Sequence, residues 1–219
     1  MYEHIRDNVR RLLAEIPPQV TVIAAAKSRT YDEVAAAIDA GISIIGENYV
    51  HEAESARCAL TSRGEWHFIG HLQLNKVKKA VELFSVIETI DSLELAAAID
   101  RNAAAVEIVM PVFIEGNIGR EPQKNGAIPE SVPDLARSIA LLPNLRLSGL
   151  MTMGPKLPPE ELRPFFAEAN RLYENLKCSG LPGADIRYLS MGMSDSYKVA
   201  IEEGANMVRL GTAIFGQRP

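Results

Sequence analysis

A lysine behind three alanines, A-A-A-K at 24–27, closes the first strongly apolar run of the chain. Near the other end, two apolar runs finish in glycine and hydroxyl residues. The run ending at Leu189 gives way to Ser190, Gly192 and Ser194, and Met207 to Leu210 gives way to Gly211 and Thr212. Free backbone N–H groups and side-chain hydroxyls at a strand-to-helix turn suit a phosphate dianion. An ammonium group beside small residues is costly to desolvate, and the neutral amine is a nucleophile that forms imines with aldehydes. Taken alone, Lys27 could equally extend into solvent.

These residues need a scaffold that brings the two ends of the chain together. Ile5, Val9, Leu12 and Leu13 fall at helical spacing, and Pro17 and Pro18 end that helix. Residues 20–26 then read as a strand buried on both faces. Further strands are expected at Ile42 to Gly46, Trp66 to Gly70, Ser85 to Ile90, Val106 to Glu115, Leu147 to Met151, Asp185 to Leu189 and Met207 to Leu210, with helical patterns between them. Helix is expected from Tyr31 to Ala40 and from Glu160 to Leu176. About eight strands alternating with helices imply a parallel sheet with right-handed crossovers, and this length favours one closed (β/α)₈ barrel, an α/β fold, over residues 1–219. No G-x-G-x-x-G follows the first strand, so the open dinucleotide-binding sheet lacks its fingerprint. In a closed barrel the first and last strands are neighbours, which sets Lys27 beside the glycine–hydroxyl cup. That pairing is what pyridoxal 5′-phosphate requires. A lysine aldolase acting on a sugar phosphate would use the same two features.

Other candidates lie at expected strand ends. Arg209 would face the cofactor's pyridine nitrogen and keep it unprotonated, since a guanidinium cannot accept a proton; a salt bridge between barrel layers is the alternative. Asn48 would hydrogen-bond the phenolic oxygen, with Glu47 structural, and His71 and Asn75 would reach ligand at the mouth. His67 and His71 are four apart but straddle a strand end without a carboxylate at ligand spacing, so no metal site is expected. The loop Gly116 to Gly126 offers Asn117, Lys124 and Asn125 as lining or cover, and Met151, Thr152 and Met153 would pack beneath the ring.

The 219 residues carry a net charge of -5 and are 47% hydrophobic, an ordinary globular balance that argues against a nucleic-acid partner. Lys76, Lys78 and Lys79 read as a solvated helix face. Two cysteines, Cys58 and Cys178, are expected to be reduced thiols. No apolar stretch reaches bilayer length and the N-terminus has no signal-peptide pattern, so a cytoplasmic location with no membrane partner is expected.

Six motifs carry a resemblance: A-A-A-K-S-R-T around Lys27, I-G-E-N-Y-V at 45–50, W-H-F-I-G-H-L-Q-L-N-K at 66–76, G-L-M-T-M-G at 149–154, L-S-M-G-M-S-D at 189–195 and V-R-L-G-T-A-I-F-G at 208–216. Together they resemble the pyridoxal phosphate homeostasis proteins over nearly the whole chain. The resemblance implies a barrel similar to the N-terminal domain of alanine racemase, fold type III among pyridoxal phosphate proteins. It implies the Schiff base on Lys27, Asn48 beside the ring and Arg209 toward the pyridine nitrogen. It further implies Ser194, Gly211 and Thr212 at the phosphate, with His71 and Met191 completing the cofactor-binding set. The chain departs from the family at Ser28, Arg29 and Thr30, where threonine-lysine-proline is usual, and in the 116–126 loop.

Two functions follow from that resemblance. One is a non-catalytic carrier or regulator of pyridoxal phosphate, a monomer that exchanges cofactor with dependent apoenzymes. The other is a racemase or decarboxylase of amino acids. Racemisation needs two opposed acid–base groups. The related racemases take the second, a tyrosine, from an additional β-domain, which is not expected after Pro219; Tyr49 is the possible substitute. The carrier is therefore the expected function.

Overall fold

The computed structural model describes residues 2–60 and 63–217, with the side chain of Cys58 outside the described set. Eight strands among these residues close into a barrel in sequence order: β1 (Thr21–Ala25), β2 (Ile44–Glu47), β3 (Glu65–Phe68), β4 (Val86–Ile90), β5 (Met110–Gly116), β6 (Leu145–Thr152), β7 (Tyr188–Ser190) and β8 (Met207–Leu210). Every pairing is parallel, and β1 pairs with both β2 and β8. The helices follow as α1 (Glu3–Glu15), α2 (Tyr31–Asp39), α3 (Val50–Ala59), α4 (Val77–Leu83), α5 (Leu93–Ala105), α6 (Val132–Ile139), α7 (Arg163–Cys178), α8 (Tyr197–Glu202) and α9 (Thr212–Phe215). No helix among the described residues is long and apolar enough to cross a membrane.

Strand alternation divides the core into two. Val22, Ala24, Ile45, Val208 and Leu210 pack outward against the helices. Ile23, Ile44, Val86, Phe113, Met151 and Met207 fill the barrel, where Phe113 stacks on Tyr188 at 5.6 Å. The same period of two directs Lys27 inward, in step with Ile23 and Ala25, and Asn48 in step with Ile44 and Gly46.

The fifth strand begins at Met110, four residues later than the apolar run suggests. Val106 ends α5, Glu107 turns at φ 57°, and Ile108 and Val109 stay exposed on the way into the barrel. The loop after β1 is nailed down despite its unusual sequence. Ser28 sits at φ 59° and its N–H donates to Glu52 Oε2 (2.9 Å), while Thr30 and Glu33 form a reciprocal cap on α2. Arg29 pairs with Glu33 (3.2 Å), lies over the Phe215 ring and donates to Gly216 O (2.5 Å), tying this loop to α9. The departure from the family's usual sequence therefore has its own set of contacts.

Candidate functional site at the C-terminal mouth

Lys27 lies two residues past β1, between the ends of β8 and β2. Register pairs Ala24 with Leu210 and Ala25 with Gly46, and a Cβ on Gly211 would lie 3.8 Å from that of Ala25. The half-buried Lys27 side chain carries its Nζ 5.0 Å from the centre of the Tyr49 ring. Such an approach stabilises a cation by about 0.5–1 kcal/mol at a partly wet site.

On the β8 side, Ser194 Oγ accepts N–H bonds from Gly211 (3.1 Å) and Ala213 (3.0 Å). Two acceptances engage both lone pairs, so the Ser194 O–H is left to donate outward, toward an anion. The exposed Thr212 hydroxyl stands on the same turn. These two hydroxyl donors, with a lysine one strand away, form a donor set that fits the phosphate and aldehyde of pyridoxal 5′-phosphate.

Arg209 is 4% exposed and donates through Nη1 to Ser190 O (2.8 Å) and Ser190 Oγ (2.7 Å), and through Nη2 to Thr152 O (2.9 Å). Burial pushes the guanidinium pKa down, opposed by the charges of Glu88 and Glu115. Glu115, at the mouth end of β5, is pushed up to about 7, chiefly by burial; Arg209 pulls it down and Asp91 raises it.

On the β2 side, Asn48, Tyr49 and His71 line a cleft of about 540 Å³ together with Gln73, Asn75 and Lys79. The exposed His71 ring is 4.0 Å from Asp91. His67, by contrast, is buried inside the barrel with both ring nitrogens facing carboxylates, so the two histidines serve different partners. Among the described residues no group of three His, Cys, Asp or Glu is arranged to hold a metal ion.

Met191 does not come to the mouth as a side chain. Ser190 faces inward, so alternation turns Met191 outward into the core between barrel and helices, where it is fully buried; its N–H donates to Met207 O. In the 116–126 loop, Asn117 acts as an internal staple, bonding Glu121 O and Lys124 O and accepting from Glu121 N–H. Lys124 pairs with Glu121 and donates to Gly154 O (3.1 Å), which ties this loop to the turn after β6. Met151 fills the barrel interior and Met153 is exposed. Sequence reading missed Glu88 and Glu115, although a lone acid inside each apolar strand, V-I-E-T-I and P-V-F-I-E-G, was the available signal.

Glu47 ends β2 at 2% exposure, and its Oε2 has no hydrogen-bond partner among the described residues. Burial, then the nearby Glu52, pushes its pKa up to about 8 against the pull of the Asn48 backbone N–H. A carboxyl raised above its unfolded value of 4.5 favours the fold while protonated, and this advantage is lost as pH rises from 4.5 through about 8. Glu47→Gln is therefore expected to be more stable than the parent at pH 9 by roughly 2 kcal/mol, a gain that vanishes near pH 4.5. Urea titrations at the two pH values measure it; an equal difference at both would refute the assignment.

The alanine racemase N-terminal domain model matches residues 2–219. Pyridoxal phosphate homeostasis proteins of Aquifex aeolicus and Escherichia coli strain K12 are 42% identical over 180 residues (81% of this chain, 78% of theirs) and 37% identical over 211 residues (92% and 87%). The structure of PipY from Synechococcus elongatus with pyridoxal phosphate bound superposes with a TM-score of 0.89 at 32% identity, covering 97% of this chain and 100% of PipY. Alanine racemase of Clostridium difficile shares the fold at a TM-score of 0.84 and 16% identity, over 99% of this chain and 57% of the racemase. The chain thus belongs to the alanine racemase N-terminal domain family and, with these relatives, to the pyridoxal phosphate homeostasis proteins.

Proposed function

We propose that this chain binds pyridoxal 5′-phosphate through Lys27 and acts as a carrier that sets its free concentration, a cytoplasmic single-domain monomer that exchanges cofactor with dependent apoenzymes. The observation that carries this reading is the emergence of Lys27 between the Ser194–Gly211–Thr212 cup and Asn48, with Arg209 in the same mouth. The names of the relatives and the bound cofactor of PipY support it. Bound there, the cofactor would supply an aldehyde, and the Lys27 amine would be the nucleophile that holds it as an imine. Ser194 and Thr212 would hold the phosphate through their hydroxyls, on the turn that Gly211 opens; Asn48 would donate to the phenolic oxygen and His71 would flank the mouth. At Met191 only the backbone is available for contact. Arg209 has no lone pair to offer a proton, so it keeps the pyridine nitrogen unprotonated and the ring a weak electron sink. That restrains chemistry at an amino acid's α-carbon.

Ser194→Ala removes the outward O–H and is expected to weaken cofactor binding about tenfold, read by fluorescence titration. Unchanged affinity would remove Ser194 from the phosphate site.

A racemase or decarboxylase is the second reading, favoured by the racemase fold and by the closeness of Tyr49 to Lys27. Incubation of the loaded protein with a panel of amino acids in D₂O separates the two. The carrier leaves every α-proton in place and forms no product; exchange or decarboxylation at enzymatic rates establishes the enzyme.

A further inference from the structure

A line of polar side chains crosses the barrel interior from one end to the other. Glu65 Oε1 lies 3.3 Å from His67 Nε2, and His67 Nδ1 lies 2.6 Å from Glu88 Oε1. Ser190 Oγ donates to Glu88 Oε2 (2.7 Å) and accepts from Arg209 Nη1 (2.7 Å). His67, Glu88, Ser190 and Arg209 are each at most 4% exposed, whereas Glu65 lines a small cavity of about 160 Å³ at the opposite barrel end. Strands β3, β4, β7 and β8 each contribute a member.

The direction of every bond is set by chemistry. A serine has one proton to give; giving it to Glu88 leaves an oxygen lone pair facing Arg209. Both ring nitrogens of His67 face carboxylates, which suits a ring protonated on both. Among the described residues the Arg209 guanidinium bonds only neutral oxygens, those of Ser190 and Thr152. A buried cation needs a compensating anion, and Glu88 is the carboxylate bonded to the same hydroxyl.

We propose that Glu88 and His67 are positioning residues for Arg209: through Ser190 they fix the plane of the guanidinium at the mouth, His67 by holding the Glu88 carboxylate and Glu88 by supplying the negative charge that retains the guanidinium. The consequence for the cofactor rests on the reading that Arg209 meets the pyridine nitrogen; the consequence for Arg209 does not.

Two measurements separate those layers. In the cofactor-free protein labelled with ¹⁵N-arginine, the Arg209 Nη protons are expected to be resolved and slowly exchanging. In Glu88→Gln, the same shape without the charge, and in Ser190→Ala, exchange is expected to be about tenfold faster or the signals averaged. Signals that stay resolved and slow in both variants overturn the proposal, and Ser190→Ala decides alone should Glu88→Gln fail to fold. With ¹⁵N-labelled pyridoxal phosphate added, the pyridine resonance of the parent is expected to stay unprotonated between pH 6 and 9, and to move toward the protonated position at pH 6 in Glu88→Gln and His67→Gln. A pyridine resonance identical in all three also overturns it. If the parent takes up no cofactor at all, the proposed function fails, while the arginine measurement still decides the role of Glu88.

Discussion

Lys27→Ala is expected to lose the visible absorbance of attached cofactor entirely and to weaken pyridoxal phosphate binding by about a hundredfold, some 2.7 kcal/mol. On the proposed reading the loss is that large because one atom, Nζ, would make the covalent attachment, while Ser194, Thr212, Asn48 and Arg209 would only orient what is attached. The fold should survive. Lys27 lies past the end of β1, half-buried, with its Nζ over the exposed Tyr49 ring. Equilibrium dialysis of the variant, alongside its spectrum and a thermal scan, gives both quantities. A retained band would mean that another amine carries the cofactor.

Gly70→Ala is the variant expected to damage fold and site together. An added Cβ would stand 2.3 Å from Asn48 O and 2.7 Å from Asn48 Cα, contacts that no side-chain rotation can relieve. The backbone cannot back away freely, since Ile69 N–H donates to Glu47 O (2.9 Å) in the ladder between β2 and β3. Overpacking of this kind costs about 2–3 kcal/mol, which for a chain of this size lowers Tm by roughly 5–10 °C. Asn48 would be pushed from its place in the cleft, and on the proposed reading cofactor affinity should fall about tenfold with it. Calorimetry and fluorescence titration test the two effects. Normal stability with normal affinity would show that the mouth does not depend on this close approach.

The barrel was legible because its strands are buried on both faces and so read as near-continuous apolar runs, as residues 20–26 do. The same property hid the start of β5, where Val106, Ile108 and Val109 are apolar yet lie outside the strand. Lys27 and the Ser194–Gly211–Thr212 cup were legible because each is a local pattern, a polar residue at the end of an apolar run. Their adjacency followed from closure alone, and β1 does pair with β8. The direction of the Met191 side chain was not marked by any local pattern: the period of two that turns Ser190 inward turns its neighbour outward. The interior line was out of reach for a different reason. Glu88 and Ser190 bond across 102 positions of sequence, and nothing in either neighbourhood names the other.

Reductive trapping tests the central claim most directly. The protein is incubated with pyridoxal phosphate, treated with borohydride so that any carbon–nitrogen attachment becomes permanent, digested, and its peptides are read by mass spectrometry. The account predicts a single phosphopyridoxyl group on Lys27, in the peptide joining A-A-A-K to S-R. A modification on Lys124, Lys76 or any other lysine with Lys27 left free would contradict it, as would no modification at all.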